Sequence, residues 1–347
     1  MVTFTQAVHT AAGAASPQNL RETKMRSTIR TLALVLAAAL STGVVAQGKT
    51  TIKYALGDVV SIDELPLLVA VERAKKRGVN VEVTPFKSEE VATQAVINGQ
   101  ADIGQGTPYA AVEKVNVPIR FFYQLTSLQF FPIVNREFYK DWKDLDGQEI
   151  AVQSRGSGTE AIMNLMAKQH GIKYKNVSYV PGSNVRAIAL LKGTIKASIL
   201  DASNKNYVMK EAPGKFLILP LGQVKASDEA LFARQDYLKK NQAAVATLVE
   251  ELIRVNREIN KDPGSIVAER KKLGLLKDLP AKLEQEILPY FKEGVENGIF
   301  PNDGGGERAA KNDLEFFHLS GALKSPDLKV ESFWDLAPLK AALAKVK

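Results

Sequence analysis

Val96-Ile97-Asn98-Gly99-Gln100-Ala101-Asp102-Ile103-Gly104 and Leu190-Leu191-Lys192-Gly193-Thr194-Ile195-Lys196-Ala197-Ser198-Ile199 read as one piece of structure met twice. In each, a helix ends at a Gly and a short apolar strand follows. A Gly just past the last turn suits the left-handed cap that closes many helices. Working outward, each stretch is preceded by strand, loop, helix and strand. The first copy opens at Thr51-Ile52-Lys53-Tyr54-Ala55-Leu56 and has its second strand at 79–84; the second copy has strands at 149–153 and 177–180. Short apolar strands alternating with helices of this length predict parallel βαβ units. The fold class is α/β: two similar lobes, each a βα-repeat sheet flanked by helices, with a ligand in the cleft between them.

The chain of 347 residues is 45% hydrophobic and 24% charged, enough for two lobes of ordinary size. Met25-Arg26-Ser27-Thr28-Ile29-Arg30 is a basic n-region, 31–40 is apolar, and Val44-Val45-Ala46 fits a small-residue cleavage site. Residues 1–46 therefore read as a leader with a secretory signal, its true start at Met25 and the mature chain beginning at Gln47. The apolar run is shorter than the roughly 20 residues a membrane span needs. Without the leader, 42 Lys and Arg stand against 37 Asp and Glu, a net +5 instead of +8. The basic residues lie beside acidic ones with no aromatic-interleaved stripe, so no nucleic-acid partner is expected, while a mild positive field favours anionic ligands. The absence of cysteine excludes disulfides, thiolate metal sites, a cysteine nucleophile and lipid attachment at a cysteine. The expected location is the periplasm, as a soluble monomer without a lipid anchor.

The first lobe reads to about 132, where Phe130-Phe131-Pro132-Ile133-Val134 leads away and Pro132 marks a break in regular structure. The second lobe reads as 133–220, inserted into a discontinuous first lobe of 47–132 and 221–347. From Ser227 onward the chain reads as helical. Val245, Leu248, Leu252, Val255 and Ile259 form a 3.6-residue stripe, and further helices are predicted near 265–273, 281–297 and 307–323.

Ligands of parallel α/β sheets bind beyond the carboxyl ends of the strands. Four loops meet that condition: Gly57 to Asp63 with Ser61, the stretch Gly104-Gln105-Gly106-Thr107-Pro108, Ser154-Arg155-Gly156-Ser157-Gly158-Thr159, and Asp201-Ala202-Ser203-Asn204. The third is the sharpest. Its small residues bring backbone amides close to a ligand, Ser157 and Thr159 add hydroxyls, and a helix N-terminus follows. Arg155 adds a cation able to pair bidentately with an oxyanion. The plainer alternative is an ordinary N-cap at Ser157 or Thr159 with Arg155 in solvent. Gly156-x-Gly158-x-x-Ala161 matches dinucleotide spacing, but the next strand ends without the required carboxylate. Gln105 and Thr107 bring an amide and a hydroxyl from the first lobe. Asp201 either binds a ligand amine or caps the following helix, the cap being slightly favoured. His170 and His318 have no partner at motif spacing, so no catalytic residue, metal or cofactor is expected.

Gly99-Gln100-Ala101-Asp102-Ile103-Gly104 with Gly106 and Pro108, the stretch Asp144 to Val152 leading to Gly156-Ser157-Gly158, Leu190 to Gly193, and Asn260-Lys261-Asp262-Pro263 together resemble a known family. It is the periplasmic solute-binding proteins of nitrate, sulfonate and taurine ABC importers, whose type II fold is shared with binders of thiamine-pyrimidine precursors. The resemblance covers about 51–275. The family usually has a basic residue where Asp146 stands and an acidic one where Lys196 stands. The resemblance implies ligand contacts from Ser61, Thr107, Ser157 and Thr159, an ABC permease and ATPase as partners, and a small organic anion, sulfonate- or carboxylate-like, as cargo. The alternative is a binder of, or an enzyme making, a thiamine-related pyrimidine. A fungal pyrimidine synthase resembles this fold, but its cysteine-rich iron motif is absent here.

Overall fold

A computed structural model describes residues 50–222 and 224–346, all within one compact unit. The expected signal and the cleavage before Gln47 lie outside the described residues. In chain order the elements are β1 (Thr50–Leu56), α1 (Leu65–Lys76), β2 (Val79–Pro85), α2 (Glu89–Ile97), β3 (Ile103–Gly106), α3 (Tyr109–Lys114), β4 (Ile119–Ser127) and β5 (Phe130–Asn135). The second repeat gives β6 (Glu149–Val152), α4 (Gly158–His170), β7 (Asn176–Tyr179), α5 (Ser183–Lys192), β8 (Ala197–Asp201), α6 (Ala202–Glu211) and β9 (Phe216–Ile218). Then come β10 (Ser227–Arg234), α7 (Gln235–Lys240), α8 (Gln242–Lys261), α9 (Ser265–Leu273), α10 (Ala281–Glu296), α11 (Gly306–Ser320), α12 (Val330–Phe333) and α13 (Ala337–Leu343).

The two sheets are built alike. One has the order β2-β1-β3-β10-β4 and the other β7-β6-β8-β5-β9. In each, three strands run parallel and a fourth, antiparallel to its neighbours, arrives from the other half of the chain. The chain thus crosses at Leu128–Gln129 and returns between β9 and β10. The crossings are tied together where the Leu128 amide donates to the Ala226 carbonyl at 2.8 Å. The α8 stripe is buried throughout and packs on α1 and α13. Among the described residues no helix is long and apolar enough to cross a membrane.

Two expectations are corrected. The stretch from Ser227 is a strand before it is helix: β10 runs between β3 and β4, and Ala230 to Ala233 are buried on both faces. A strand covered on both sides loses the alternation that marks a half-buried one, and Ala-Leu-Phe-Ala then reads equally as helix. Pro132 does not break structure but sits inside β5. The Leu219 amide donates to the Pro132 carbonyl at 2.9 Å, so the missing proline N–H falls where β9 has already ended.

Candidate functional site

The carboxyl ends of β1, β3, β6 and β8 meet the start of β10 around one cavity, which encloses about 1110 Å³ of space including solvent at its mouth. Gln105, Thr107, Ser157, Thr159 and Asp201 line it; Ser61 lines an adjoining pocket at its edge, and Ser154, Arg155 and Gly156 are not part of the lining. The halves touch there and elsewhere. Gln153 Nε2 donates to Asp58 Oδ2 at 2.8 Å, Lys205 Nζ meets Glu293 Oε1 at 2.8 Å, and Lys168 Nζ donates to the Leu319 carbonyl at 3.0 Å.

The 154–159 loop spends most of its polar groups on itself. Ser157 is the N-cap of α4, accepting from the Glu160 amide, and its Oγ also donates to the Ser154 carbonyl at 2.8 Å. Thr159 Oγ1 accepts from the Gln153 amide and lies 2.9 Å from Ser157 Oγ. Glu160, three residues after the cap as in a capping box, reaches back so that its Oε2 accepts from the Gly156 amide at 2.6 Å. The protein's own carboxylate therefore occupies the amide that the sequence offered to a ligand. Arg155 is exposed and lies over the Tyr179 ring, 5.0 Å from its centroid. Ser154 Oγ is buried without a partner. What remains free at this helix end are the Gly158 and Thr159 amides, for which the described residues supply no acceptor.

The first-lobe wall is acidic. Seven carboxylates line the cavity, Asp58, Asp63, Glu64, Glu89, Asp201, Asp228 and Glu229, against one cation, Arg186. Asp228 and Glu229 are adjacent on β10 and would ordinarily face opposite sides. Register shifts between Ser227 and Ala230 disturb that alternation, and both residues reach the cavity. Glu64 is held by Gln105, whose Nε2 donates to Glu64 Oε1 at 2.8 Å while its Oε1 accepts from the Tyr54 hydroxyl at 2.6 Å. Glu89 Oε1 accepts from the Thr107 amide at 2.5 Å. That approach requires Gly106, at φ +137°, since a Cβ there would stand 2.5 Å from the same oxygen. Burial pushes the Glu89 carboxyl up to about 7, and burial plus neighbouring carboxylates raise Glu64, Asp228 and Glu229 well above the ordinary range.

The second-lobe wall carries donors. Arg186, 1% exposed, gives Nη1 to Gln153 Oε1 at 2.6 Å and to the Val180 carbonyl at 2.8 Å, and Nε to the Ile199 carbonyl at 3.2 Å. Burial lowers it to about 10, which leaves it charged at neutral pH. Asp201 is the N-cap of α6, accepting from the Asn204 amide and the Ser203 hydroxyl, each at 2.8 Å. Tyr54 and Tyr109 are core residues, whereas Phe130 and Tyr290 line the cavity. Among the described residues no group of three or more His, Cys, Asp or Glu is placed to hold a metal ion.

Sequence reasoning passed over Glu64, Glu89, Gln153, Arg186, Asp228 and Glu229. Arg186 did leave a trace, a lone cation on the helix face that buries Ala187 and Leu190. Glu89 reads as an ordinary first-turn acid after the N-cap Ser88.

No curated protein matches the chain. Among solved structures, the periplasmic nitrate-binding protein NrtA from Synechocystis PCC 6803 is similar with a TM-score of 0.65 at 14% identity, over 86% of this chain and 89% of that one. The ligand-binding component of an ABC-type import system from Staphylococcus aureus, solved with zinc bound, gives 0.65 at 13%, over 84% and 99%. The alkanesulfonate-binding protein SsuA from Xanthomonas axonopodis pv. citri, bound to MOPS, gives 0.60 at 14%, over 82% and 98%. At such identities the likeness is one of fold, and the fold is that of the periplasmic binding proteins. A family model described as NMT1/THI5 like matches residues 62–264, more than half of the chain, and this protein belongs to that family.

Proposed function

We propose that this chain is the extracytoplasmic solute-binding component of an ABC importer. Residues 1–46 export it to the periplasm, and it acts there as a free monomer that captures a small solute and presents it to a permease and its ATPase. The observation that supports this reading is the cavity between two repeat-built lobes, at the strand ends where α/β proteins hold ligands. The lobes are taken as bodies that move about the crossings at Leu128–Gln129 and between β9 and β10.

The lining bears on the cargo. A simple organic anion, expected from sequence, would face six carboxylates of the first lobe, so we propose a solute that presents positive charge or several N–H donors to that wall. The same wall favours a thiamine-related aminopyrimidine as second reading, because its exocyclic amine is such a donor.

Gentle purification from periplasmic extract followed by native mass spectrometry tests the function. The expected result is a chain starting at Gln47 that releases one small molecule unchanged on denaturation. A chain retained in the membrane fraction, or a compound returned chemically altered, overturns the binder reading.

A further inference from the structure

The two walls of the cavity differ in chemistry as well as in origin. Asp58, Asp63, Glu64, Glu89, Asp228 and Glu229 come from the first sheet and from the loops and helix starts at its strand ends. Across from them the second lobe offers the α4 N-terminus and Arg186, while its one carboxylate, Asp201, is engaged in capping α6. Two donors near this junction have no partner among the described residues. Thr107 is 1% exposed, and its hydroxyl makes no hydrogen bond although its amide is taken by Glu89. That hydroxyl points at α4, 3.4 Å from where a Cβ on Gly158 would stand. Arg186 is equally buried, and its Nη2 makes no hydrogen bond while Nη1 and Nε are both engaged. Neither donor atom is sealed off: each reaches the cavity, where a ligand's acceptor can satisfy it. Here they face a cavity beside the free Gly158 and Thr159 amides of a 13-residue helix.

A ligand with only a positive end leaves these donors unpaired, and one with only a negative end meets the acidic wall. We propose that the ligand is a small zwitterion, its cationic end held by the first-lobe carboxylates and its anionic end by Arg186, the Thr107 hydroxyl and the start of α4. This rests on the solute-binding reading above and deepens it. Because the carboxylates belong to the first lobe and Arg186 and the start of α4 to the second, with Thr107 reaching over from the first, a bipolar solute bridges the cleft and draws the lobes onto it together.

The test uses the mature protein and four panels of compounds, read by thermal shift and then calorimetry: amino acids and betaines, alkylamines and amidines, carboxylates and sulfonates without an amine, and aminopyrimidines. Binding should concentrate in the first panel. Against the best zwitterion, Thr107→Val should lose about tenfold in affinity with an unchanged melting temperature, and Arg186→Gln more than that. Arg186 also holds two carbonyls, so Thr107→Val decides the matter if the arginine variant fails to fold. Tighter binding of an amine, an anion or an aminopyrimidine than of any zwitterion overturns the proposal while leaving the binder reading in place. So does a zwitterion whose affinity ignores Thr107→Val. No binding in any panel, with no small molecule retained on purification, overturns the solute-binding reading itself.

Discussion

Ser157 and Thr159 show how a hydroxyl can sit on a cavity wall and still do its main work locally. Ser157 Oγ meets the Glu160 amide, the Ser154 carbonyl and Thr159 Oγ1, while Thr159 Oγ1 closes the turn to the Gln153 amide. Ser157→Ala should therefore lower stability by about 1 kcal/mol, the usual cost of losing a cap, on denaturant melts. Calorimetry on the same variant should find ligand affinity within about twofold of the parent, because its hydroxyl has no spare lone pair or proton aimed at the cavity. Thr107 is the reverse case, a hydroxyl with no partner among the described residues. From sequence the two residues look alike, small hydroxyl side chains in Gly-rich loops at strand ends. What separates them is Glu160, whose backward reach onto Gly156 completes the turn and whose presence three residues after the cap was readable as a capping box. Arg155 was legible only as a cation in the right loop; its placement over Tyr179 depends on a side-chain direction that spacing does not encode.

At the scale of elements, the repeated strand–helix–strand units were readable because each helix ends on a Gly and each strand is short and apolar. The element that escaped, β10, is the one on which the acidity of the site depends. Asp228 and Glu229 open it, and a reading that makes the same residues the start of a helix places them on a solvated first turn. β10 is anchored by a contact from far along the chain: the Ser227 amide donates to Asp313 Oδ1 at 2.6 Å, and Asp313 Oδ2 accepts from the Tyr109 hydroxyl at 2.8 Å, which in turn accepts from Trp334 Nε1. Asp313 is fully buried, and burial pushes its carboxyl up to about 6. Asp313→Ala strands two buried donors at the base of the returning crossing. It should destabilise the protein by on the order of 3 kcal/mol in chemical denaturation, more than any single cap. A loss no larger than that of Ser157→Ala would mean that Ser227 and Tyr109 find other acceptors and that α11 does not hold β10 in place.

For the whole molecule, a cavity that gathers carboxylates sets how stability and binding respond to pH. An unfolded glutamate titrates near about 4.3, whereas Glu89 in the folded protein titrates at about 7 and Glu64 and Glu229 are raised as well. Between those values the folded chain holds protons that the unfolded chain has released, so stability falls as pH rises. The ligand-free protein should accordingly be most stable in mild acid and lose stability from about pH 4 up to about pH 7, with Glu89 contributing nothing further above that. Glu89→Gln keeps an oxygen for the Thr107 amide and removes the titration. Melting curves of the two proteins should therefore diverge with rising pH, the variant becoming the more stable. Parallel curves would show that Glu89 is well solvated and that the acidic wall carries no strain. A ligand that brings positive charge to this wall favours the ionised carboxylates, so its affinity should rise over the same interval in which the empty protein weakens. The two slopes share one cause: the burial of these carboxylates, and after it their mutual repulsion, destabilises the empty cleft when they ionise, and a solute's positive charge offsets both.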